Sequence, residues 1–587
     1  MKKSIFVLLL LSILVTYANA ACNGSAFIKV PAVVGDGAGL VTMQIRIIPG
    51  SGDVFLSTFP ETGTSTQESL DNAAQYAFKK FGISNCDAVV SINTSGSAGY
   101  VDGPSAGAAF TVLTYGALEG LEPRDDSIIT GTIDPNGEVG PVGGVYEKAM
   151  AAISAGAKYF VMPQRTIFDL LLLRNLESSH GIKVVEVTTV DEAIDFMLHN
   201  KTIASVSFER KPEPVPDLIS YDTTGIEAFG DVASKMIASE KTVVDRLPET
   251  DNESTSIKNY FKSSIARQQA IAEKGYFFTA ANDAFLDYIQ VSTISAILKD
   301  SADLDAKKSE LQGCLRSIPE VAKTERNFEW VVGSELRKAW ATNRINITDT
   351  AKPKLQEEKY LVYNDLMYSD AWCLVSGILA ENADPNGQKI NESSWRSLAQ
   401  IKLSEAEQMQ VTDADLKERL ISAKTSFDNG KYGASIFDST YVIEMGNASR
   451  DMVAMSPEEM DGQVQLMLKE KRASLWGKVY QAQGAFLSSE NVSQTGSAFR
   501  ILRFAAEIDR TTDIMRKTAI PQPSSVEEQV ASSPMIQQAL LIMSTFLIIT
   551  VLLLYIATRG HSQGRFYGTD SQGKRYRGVP RAGKKQG

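Results

Sequence analysis

An uncharged apolar segment near the C-terminal end limits most strongly what this chain can fold into. Residues 539–558 include no Asp, Glu, Lys, Arg or His, and Leu, Ile, Val and Phe dominate them. About 20 such residues form a helix long enough to cross roughly 30 Å of hydrocarbon. The pattern predicts a single transmembrane helix over residues 535–558. A buried helix of a globular domain is the alternative.

Basic residues dominate the segment that follows. Residues 559–587 contain eight Lys and Arg residues and one acid, Asp570. Because positively charged flanks stay on the cytoplasmic side of a membrane, we expect this tail to be cytoplasmic and the preceding chain to lie outside. Residues 520–534 hold three prolines and predict a stalk in front of the membrane.

The N-terminal end is typical of a secretory signal. Lys2 and Lys3 precede an apolar run over residues 5–15, and Ala18-Asn19-Ala20 supplies the small residues of a cleavage site. We therefore predict a signal peptide over residues 1–20, with an uncleaved N-terminal anchor as the alternative. Both ends agree on a single-pass protein of the cell membrane whose bulk is extracytoplasmic.

The composition excludes several classes of function. Among 587 residues the net charge is -11, and an acidic balance argues against nucleic-acid binding. Three His residues disfavour a His-rich metal site, and we expect no metal and no cofactor. Four Cys residues are too few for a disulfide scaffold. They can pair in three ways in an oxidising compartment, and the sequence does not choose among them: Cys22, Cys86, Cys314 and Cys373.

Two regions of different character lie between the ends. In residues 25–200, short strand-like runs, either apolar throughout or apolar at every second residue, are interspersed with segments of helical spacing. This mixture of strand and helix patterns indicates an α/β or α+β domain. We predict helices at residues 66–81, 105–121, 145–155 and 190–198, and strands at residues 26–34, 40–48, 54–59, 88–92, 127–133, 158–162 and 184–187.

The chain changes character after a proline-rich segment. Residues 201–216 predict a linker, because Pro212, Pro214 and Pro216 favour an extended chain. Residues 217–519 are helically periodic and contain all five Trp residues, which predicts a mostly α-helical domain. The expected architecture is thus an α+β domain, then a helical domain, then one C-terminal transmembrane helix.

Ser105 is the strongest candidate nucleophile. It lies in Asp102-Gly-Pro-Ser-Ala-Gly107, where Pro104 suits the first position of a helix. Backbone N–H groups at a helix start lack partners and can stabilise a developing oxyanion. A hydroxyl hardly ionises at neutral pH, so Ser105 needs a base.

Two kinds of base are available. Gly103 to Gly107 formally match the Gly-x-Ser-x-Gly nucleophile elbow, which would pair Ser105 with His180 or His199, but the preceding residues 95–99 read as a loop rather than a strand. Lys148 is the other base, and it would need burial to lower its pKa. Local features alone favour a solvated lysine.

A set of spaced motifs resembles the proteolytic domain of Lon-type serine proteases over residues 27–198. The resemblance implies Ser105 as nucleophile, Lys148 as general base and Thr130 as the residue that orients the amine. It also implies a modulating role for Asp102. Glu61 and Glu68 fall where some relatives have an acid, but the register there is uncertain and they receive no role. The motifs are Asp102-Gly-Pro-Ser-Ala-Gly107, Thr130-Gly131, Gly137-x-Val139-x-Pro-Val-Gly-Gly144, Glu147-Lys148, Ala151-Ala152, Ala155-Gly156 and Pro163.

The chain departs from cytosolic Lon proteases in one respect. Those proteins carry an AAA+ ATPase, whereas no Gly-Lys pair in this sequence is followed by Ser or Thr, as a phosphate-binding loop requires. We therefore expect an ATP-independent endopeptidase of archaeal surface type that cleaves unfolded or surface polypeptides. The family often forms six-membered rings, so a homo-oligomer is left open. The alternatives are a non-catalytic surface scaffold and a precursor that cleaves only itself.

Overall fold

The structure is a computed structural model. It describes residues 22–34, 37–57, 61–94, 100–101, 103–134, 136–203, 208–409, 411, 413–489, 494–519, 568–569 and 575–576. The predicted signal peptide, stalk and transmembrane helix, with most of the basic tail, lie outside these residues. Among the described helices, none combines the length and apolar character that crossing a membrane requires. The described residues up to Asp513 belong to one compact unit, and those from Ile514 onward to a second.

The first region of the chain, residues 25–198, combines strands with five helices and is called the mixed region below. Its strands are β1 Ser25–Val34, β2 Gly37–Pro49, β3 Val54–Leu56, β4 Glu61–Thr62, β5 Cys86–Thr94, β6 Tyr100–Val101, β7 Ser127–Ile129, β8 Thr132–Ile133, β9 Val139–Gly140, β10 Tyr159–Pro163 and β11 Lys183–Val187. Its helices are α1 Thr64–Phe81, α2 Gly107–Glu119, α3 Val145–Ser154, α4 Ile167–His180 and α5 Val190–Met197.

The main sheet has the order β1-β2-β5-β3, with β3 parallel to β5 and the other pairs antiparallel. Every second residue of β2 is buried, from Val41 to Ile47, because side chains alternate between the two faces of a strand. Helix α2 packs on β1 and β2 and against α1. This arrangement places the start of α2, where Ser105 was predicted, beside α1.

A second, parallel sheet has the order β11-β10-β7. The predicted strand over residues 127–133 is interrupted after Ile129, and β8 instead pairs with β9. The break occurs because the Gly131 N–H donates to the Ser105 carbonyl at 2.9 Å rather than continuing the β10 ladder. Antiparallel and parallel sheets therefore coexist, and the mixed α/β character of this region is confirmed.

The second region is helical, as predicted, and is called the helical region below. Its helices are α6 Phe229–Asp245, α7 Asn252–Glu273, α8 Phe277–Leu298, α9 Leu304–Ser317, α10 Phe328–Thr348, α11 Gln356–Glu381, α12 Arg396–Gln408, α13 Ala414–Asp428, α14 Tyr432–Val453, α15 Pro457–Lys469, α16 Leu475–Leu487 and α17 Thr495–Ala519. In the tail, Gly568–Thr569 pairs antiparallel with Arg575–Tyr576.

The structure selects one of the three possible disulfide connectivities. Cys22 pairs with Cys86 at the start of β5, and Cys314 of α9 pairs with Cys373 of α11. The first bond ties the residues just before β1 to the mixed region, and the second lies within the helical region. All four cysteines of the sequence are thus oxidised, which is the state expected outside the reducing cytoplasm.

The two regions meet within the first unit. Helix α4 packs against α8 and α11, and Arg174 of α4 forms an ion pair with Glu253 of α7. The predicted linker carries neither helix nor strand over residues 208–216. Its Arg210 is nevertheless bound to Glu186 and to the carbonyl of Arg165 in the mixed region. The start of this segment is therefore fixed to the mixed region.

Candidate active site

Ser105 lies in a single turn of 3-10 helix, Pro104–Ala106, that leads directly into α2. Pro104 occupies the first helical position, where its missing N–H costs nothing. Gly103 has a φ of 126°, which a residue with a side chain rarely adopts. A Cβ on Gly107 would lie 2.8 Å from the Ser69 Oγ. Gly103 is therefore required by its backbone conformation, and Gly107 by the close approach of neighbouring residues.

Helix α1 holds this turn from one side. The Thr66 hydroxyl donates to the Gly103 carbonyl at 3.3 Å, and the Ser69 hydroxyl donates to the Pro104 carbonyl at 3.1 Å. Both side chains are buried. Neither residue is predicted from the sequence, although two small hydroxyl residues three apart on a helix could indicate a polar face turned inward.

The loop after β7 holds the turn from the other side. The Ser105 carbonyl accepts hydrogen bonds from the Gly131 N–H at 2.9 Å and from the Thr130 hydroxyl at 3.1 Å. The Ala108 N–H returns a bond to the Gly131 carbonyl at 3.0 Å. The main chain at Ser105 is thus fixed between α1 and the Thr130-Gly131 loop, while its side chain stays half-buried.

Lys148 lies in the first turn and a half of α3 and is 3% exposed. Its neighbours Val145 and Ala149 belong to a buried apolar cluster with Phe160 and Met162. Burial lowers the pKa of Lys148 to about 8, since a charged amine is poorly solvated there. The positive charge of Arg165 acts in the same direction, and Glu147 opposes it.

Thr130 connects the amine to the serine. The Lys148 Nζ donates to the Thr130 Oγ1 at 3.3 Å, and that hydroxyl donates onward to the Ser105 carbonyl. Thr130 is 1% exposed, so water does not compete for these bonds. The hydrogen bonds of the described residues include none directly from Lys148 to the Ser105 hydroxyl. Catalytic hydrogen bonds are often long in unliganded sites and tighten when substrate binds.

Residues 32–200 match the family model of the Lon protease (S16) C-terminal proteolytic domain. The archaeal Lon protease of Archaeoglobus fulgidus is 34% identical over 175 residues, which make up 29% of this chain and 27% of that protein. The Lon protease of Haemophilus influenzae is 32% identical over 186 residues, or 30% of this chain and 23% of that protein. The chain therefore spans about a quarter of the length of these relatives.

The similarity supports a serine peptidase, and it confirms the predicted resemblance at the level of the proteolytic domain. The match ends at residue 200, before the linker and the helical region, so it carries no information about the residues beyond.

The remaining predicted candidates are not brought to this site. The His199 Nε2 is bound to Glu119 at 2.9 Å. Glu119 ends α2, a helix of 13 residues and thus about 20 Å long, whereas Ser105 precedes its start. His180 is exposed and bound to Ser179. His199 therefore lies far from Ser105, and no hydrogen bond among the described residues joins His180 to Ser105.

Three other points complete the site. Asp102 lies outside the described residues, so its predicted modulating role is a proposal. Glu61 and Glu68 are exposed. Across the described part of the chain, no three His, Cys, Asp or Glu side chains are grouped in a way that would hold a metal ion.

Proposed function

We propose that this chain is an exported, membrane-anchored serine endopeptidase that uses a Ser105–Lys148 dyad to cleave unfolded or surface polypeptides without ATP. The observation that supports this most strongly is the buried Lys148 amine. Its pKa is about 8, and Thr130 links it to the fixed main chain of Ser105. An amine with this pKa is partly neutral near physiological pH and can act as a base.

The reaction follows from this arrangement. The neutral Lys148 amine accepts the proton of the Ser105 hydroxyl while the Ser105 Oγ bonds to the carbonyl carbon of the substrate peptide. Backbone N–H groups of the turn at Ser105 stabilise the oxyanion that forms. The Lys148 ammonium then protonates the departing amine, which leaves an ester on Ser105. Water hydrolyses that ester, with Lys148 again accepting a proton.

Thr130 has a positioning role in this proposal. Its hydroxyl accepts from the Lys148 amine and donates to the Ser105 carbonyl, so one side chain sets the position of both groups. A hydrogen bond to the ammonium form also limits how far burial depresses the pKa of Lys148.

Sequence patterns support export and membrane anchoring, and the disulfide bonds independently support export. The sequence carries a signal-like start and an uncharged apolar segment before a basic tail. Both disulfides suit an oxidising compartment. We propose residues 25–200 as the proteolytic domain, residues 217–519 as an extracytoplasmic helical domain, and residues 559–587 as the cytoplasmic tail.

The activity is tested by incubating the purified full chain with casein, with and without ATP, and by mapping the cut sites. We expect cleavage that ATP does not change, that Ser105→Ala abolishes and that Ser154→Ala, an exposed serine of α3, retains. Equal labelling of the wild-type chain and Ser105→Ala by an active-site acylating probe would point to a scaffold. A single internal cut, without cleavage of casein, would point to self-processing.

The location is tested separately in intact cells of the host. We expect an added protease to digest an epitope placed in the helical region and to leave an epitope at the C-terminus intact until the membrane is opened. Digestion of both epitopes, or of neither, in intact cells contradicts the proposed orientation.

A further inference from the structure

A cavity of about 420 Å³ lies within the helical region, and only side chains of that region line it. Aromatic rings form much of its wall, with ring centroids 4.7 Å apart for Trp340 and Trp372 and 5.8 Å apart for Trp476 and Tyr480. Phe285 extends this wall at 4.2 Å from Trp372. The volume of the cavity is in the range of pockets that hold small ligands, which span about 300–1,000 Å³.

Arg337 of α10 lines this cavity and is 5% exposed. Its guanidinium lies 4.9 Å from the ring of Trp340 and 4.6 Å from the ring of Trp476. Its polar contacts are to neutral groups, the Gly333 carbonyl and the Tyr480 hydroxyl. The buried Nε has no hydrogen-bond partner among the described residues.

The nearby carboxylates do not neutralise Arg337. Asp438 lies 3.5 Å from Arg419 and accepts a hydrogen bond from the Trp340 Nε1 at 3.0 Å, so it acts on Arg337 only at longer range. Asp415 also pairs with Arg419, at 3.7 Å. No Asp or Glu is among the residues that line the cavity.

A buried guanidinium that forms no ion pair with a carboxylate favours the binding of an anion. A guanidinium keeps its proton in proteins, and a buried charge is costly unless it is paired and hydrogen-bonded. Burial lowers the pKa of Arg337, because the charged guanidinium is poorly solvated in the protein interior. The exposed Arg500 adds a further positive charge to the lining.

We infer that this cavity binds a carboxylate attached to an apolar group, in the form of the carboxyl terminus of a polypeptide that ends in an aromatic or large aliphatic residue. The planar guanidinium matches a carboxylate through two parallel N–H···O bonds. The aromatic wall matches the last side chain, since aromatic rings prefer offset or edge contacts with one another. The inference does not depend on the protease proposal and would stand if Ser105 were inactive.

The binding is tested on the full chain carrying Ser105→Ala, so that self-digestion does not interfere. Trp340, Trp372 and Trp476 line the cavity, so ligands are titrated by tryptophan fluorescence. We expect saturable binding of N-acetyl-phenylalanine and at least about tenfold weaker binding of its amide, which lacks the charge. A peptide ending in Phe should bind at least as tightly as phenylacetate. Binding of phenylacetate but not of the peptide would overturn the assignment to a polypeptide end.

Variants of the same chain locate the site. We expect Arg337→Met to weaken binding of N-acetyl-phenylalanine at least about tenfold and Arg344→Met, which removes a cation elsewhere on α10, to leave it unchanged. If circular dichroism shows that Arg337→Met is unfolded, Ala281→Phe fills the cavity without removing the charge and should block binding. Equal binding of acid and amide, binding unaffected by the folded variants, or stronger binding of adenosine monophosphate than of the acid would each overturn the inference.

Discussion

Lys148 in the mixed region and Arg337 in the helical region are both buried cations, and they differ in what burial does to them. Lys148 in the mixed region is 3% exposed and Arg337 in the helical region is 5% exposed. Burial brings the pKa of the lysine to about 8, whereas a guanidinium remains charged in any protein interior. Similar desolvation therefore leaves a partly neutral amine in one region and a positive charge in the other.

The surroundings reinforce this difference. Lys148 faces the hydroxyl of Thr130, which can accept a hydrogen bond from either protonation state of the amine. Arg337 lies between the rings of Trp340 and Trp476, whose faces attract a cation and favour the charged form. The residue type, more than the extent of burial, therefore decides whether a buried cation can lose its proton near neutral pH or stays charged.

Lys148→Arg is the most severe test of the comparison. It places a guanidinium, which does not lose its proton, at the position of the proposed base. We expect a loss of roughly 10²- to 10⁴-fold in kcat, since the guanidinium cannot accept the Ser105 proton. The measurement is casein cleavage at about pH 8. Lys158→Arg is the matched control, because Lys158 is 75% exposed in its side chain. Full activity in Lys148→Arg would show that Lys148 is not the base.

The pH profile of cleavage sharpens the same point. Because Lys148 must be neutral to act, kcat/KM should rise about tenfold per pH unit below the pKa and level off above it. The midpoint should lie near 8, the pKa that burial imposes. Initial rates on a fluorogenic peptide across this range provide the measurement. A profile without any rise would remove the basis for a titrating amine.

Glu240 extends the comparison to a buried acid of the helical region. It is 0% exposed, and burial together with the charge of Asp287 raises its pKa to about 10. The unfolded chain loses this proton near pH 4.5, so stability should fall as the pH rises from there toward 10. Lys148 acts in the opposite direction between its folded pKa of about 8 and its ordinary value of 10.5.

We therefore expect Glu240→Gln to be more stable than the wild-type chain at pH 8, by up to about 1.4 kcal/mol for each pH unit above 4.5. The two chains should be nearly equal near the unfolded pKa of 4.5. Thermal unfolding at both pH values measures this. Glu273→Gln, at the exposed end of α7, is the control. A stability difference independent of pH would mean that Glu240 is ionised in the folded chain.

Thr130→Val tests the hydroxyl that joins the Lys148 amine to the Ser105 carbonyl, and its expected effect is the smallest of these predictions. Valine keeps the branched shape and removes the hydroxyl, so we expect kcat to fall about tenfold while KM changes little. The midpoint of the pH profile should move downward, because the ammonium donates a stronger hydrogen bond to this hydroxyl than the neutral amine does and so loses more. Thr114→Val, a buried threonine bonded to its own helix, should leave both unchanged. A fall in kcat with an unmoved midpoint would indicate a purely structural role.

Much of the mixed region was predictable because its signals are local. Alternating residues marked β2, and Pro104 with its flanking glycines marked the turn of Ser105. Helix α4 was missed because Leu170 to Leu173 form one continuous buried run without helical spacing. Its N-cap Thr166, bonded to the Asp169 N–H, was the available signal. The clamp formed by Thr66 and Ser69 depends on the packing of α1 against the turn, which no local pattern encodes.

The secondary structure of the helical region was predictable from the sequence, but its cavity and its disulfide bond were not. Its periodicity indicated helices, and its five Trp residues indicated packing anchors. The cavity, however, joins Trp340 of α10, Trp372 of α11 and Trp476 of α16. Their meeting depends on helix crossings that the order of residues along the chain does not reveal. The pairing of the cysteines was open for the same reason.

The bond between Cys22 and Cys86 has a consequence for when the serine turn becomes rigid. It closes a loop of 64 residues, which includes the whole of α1 with Thr66 and Ser69. Such a crosslink favours the folded chain by roughly 4 kcal/mol, chiefly by restricting the unfolded one. A newly made chain that has not yet been oxidised lacks this restraint. If the chain is exported as proposed, its folded state is least stable before oxidation, inside the cell, and gains this stabilisation only after export.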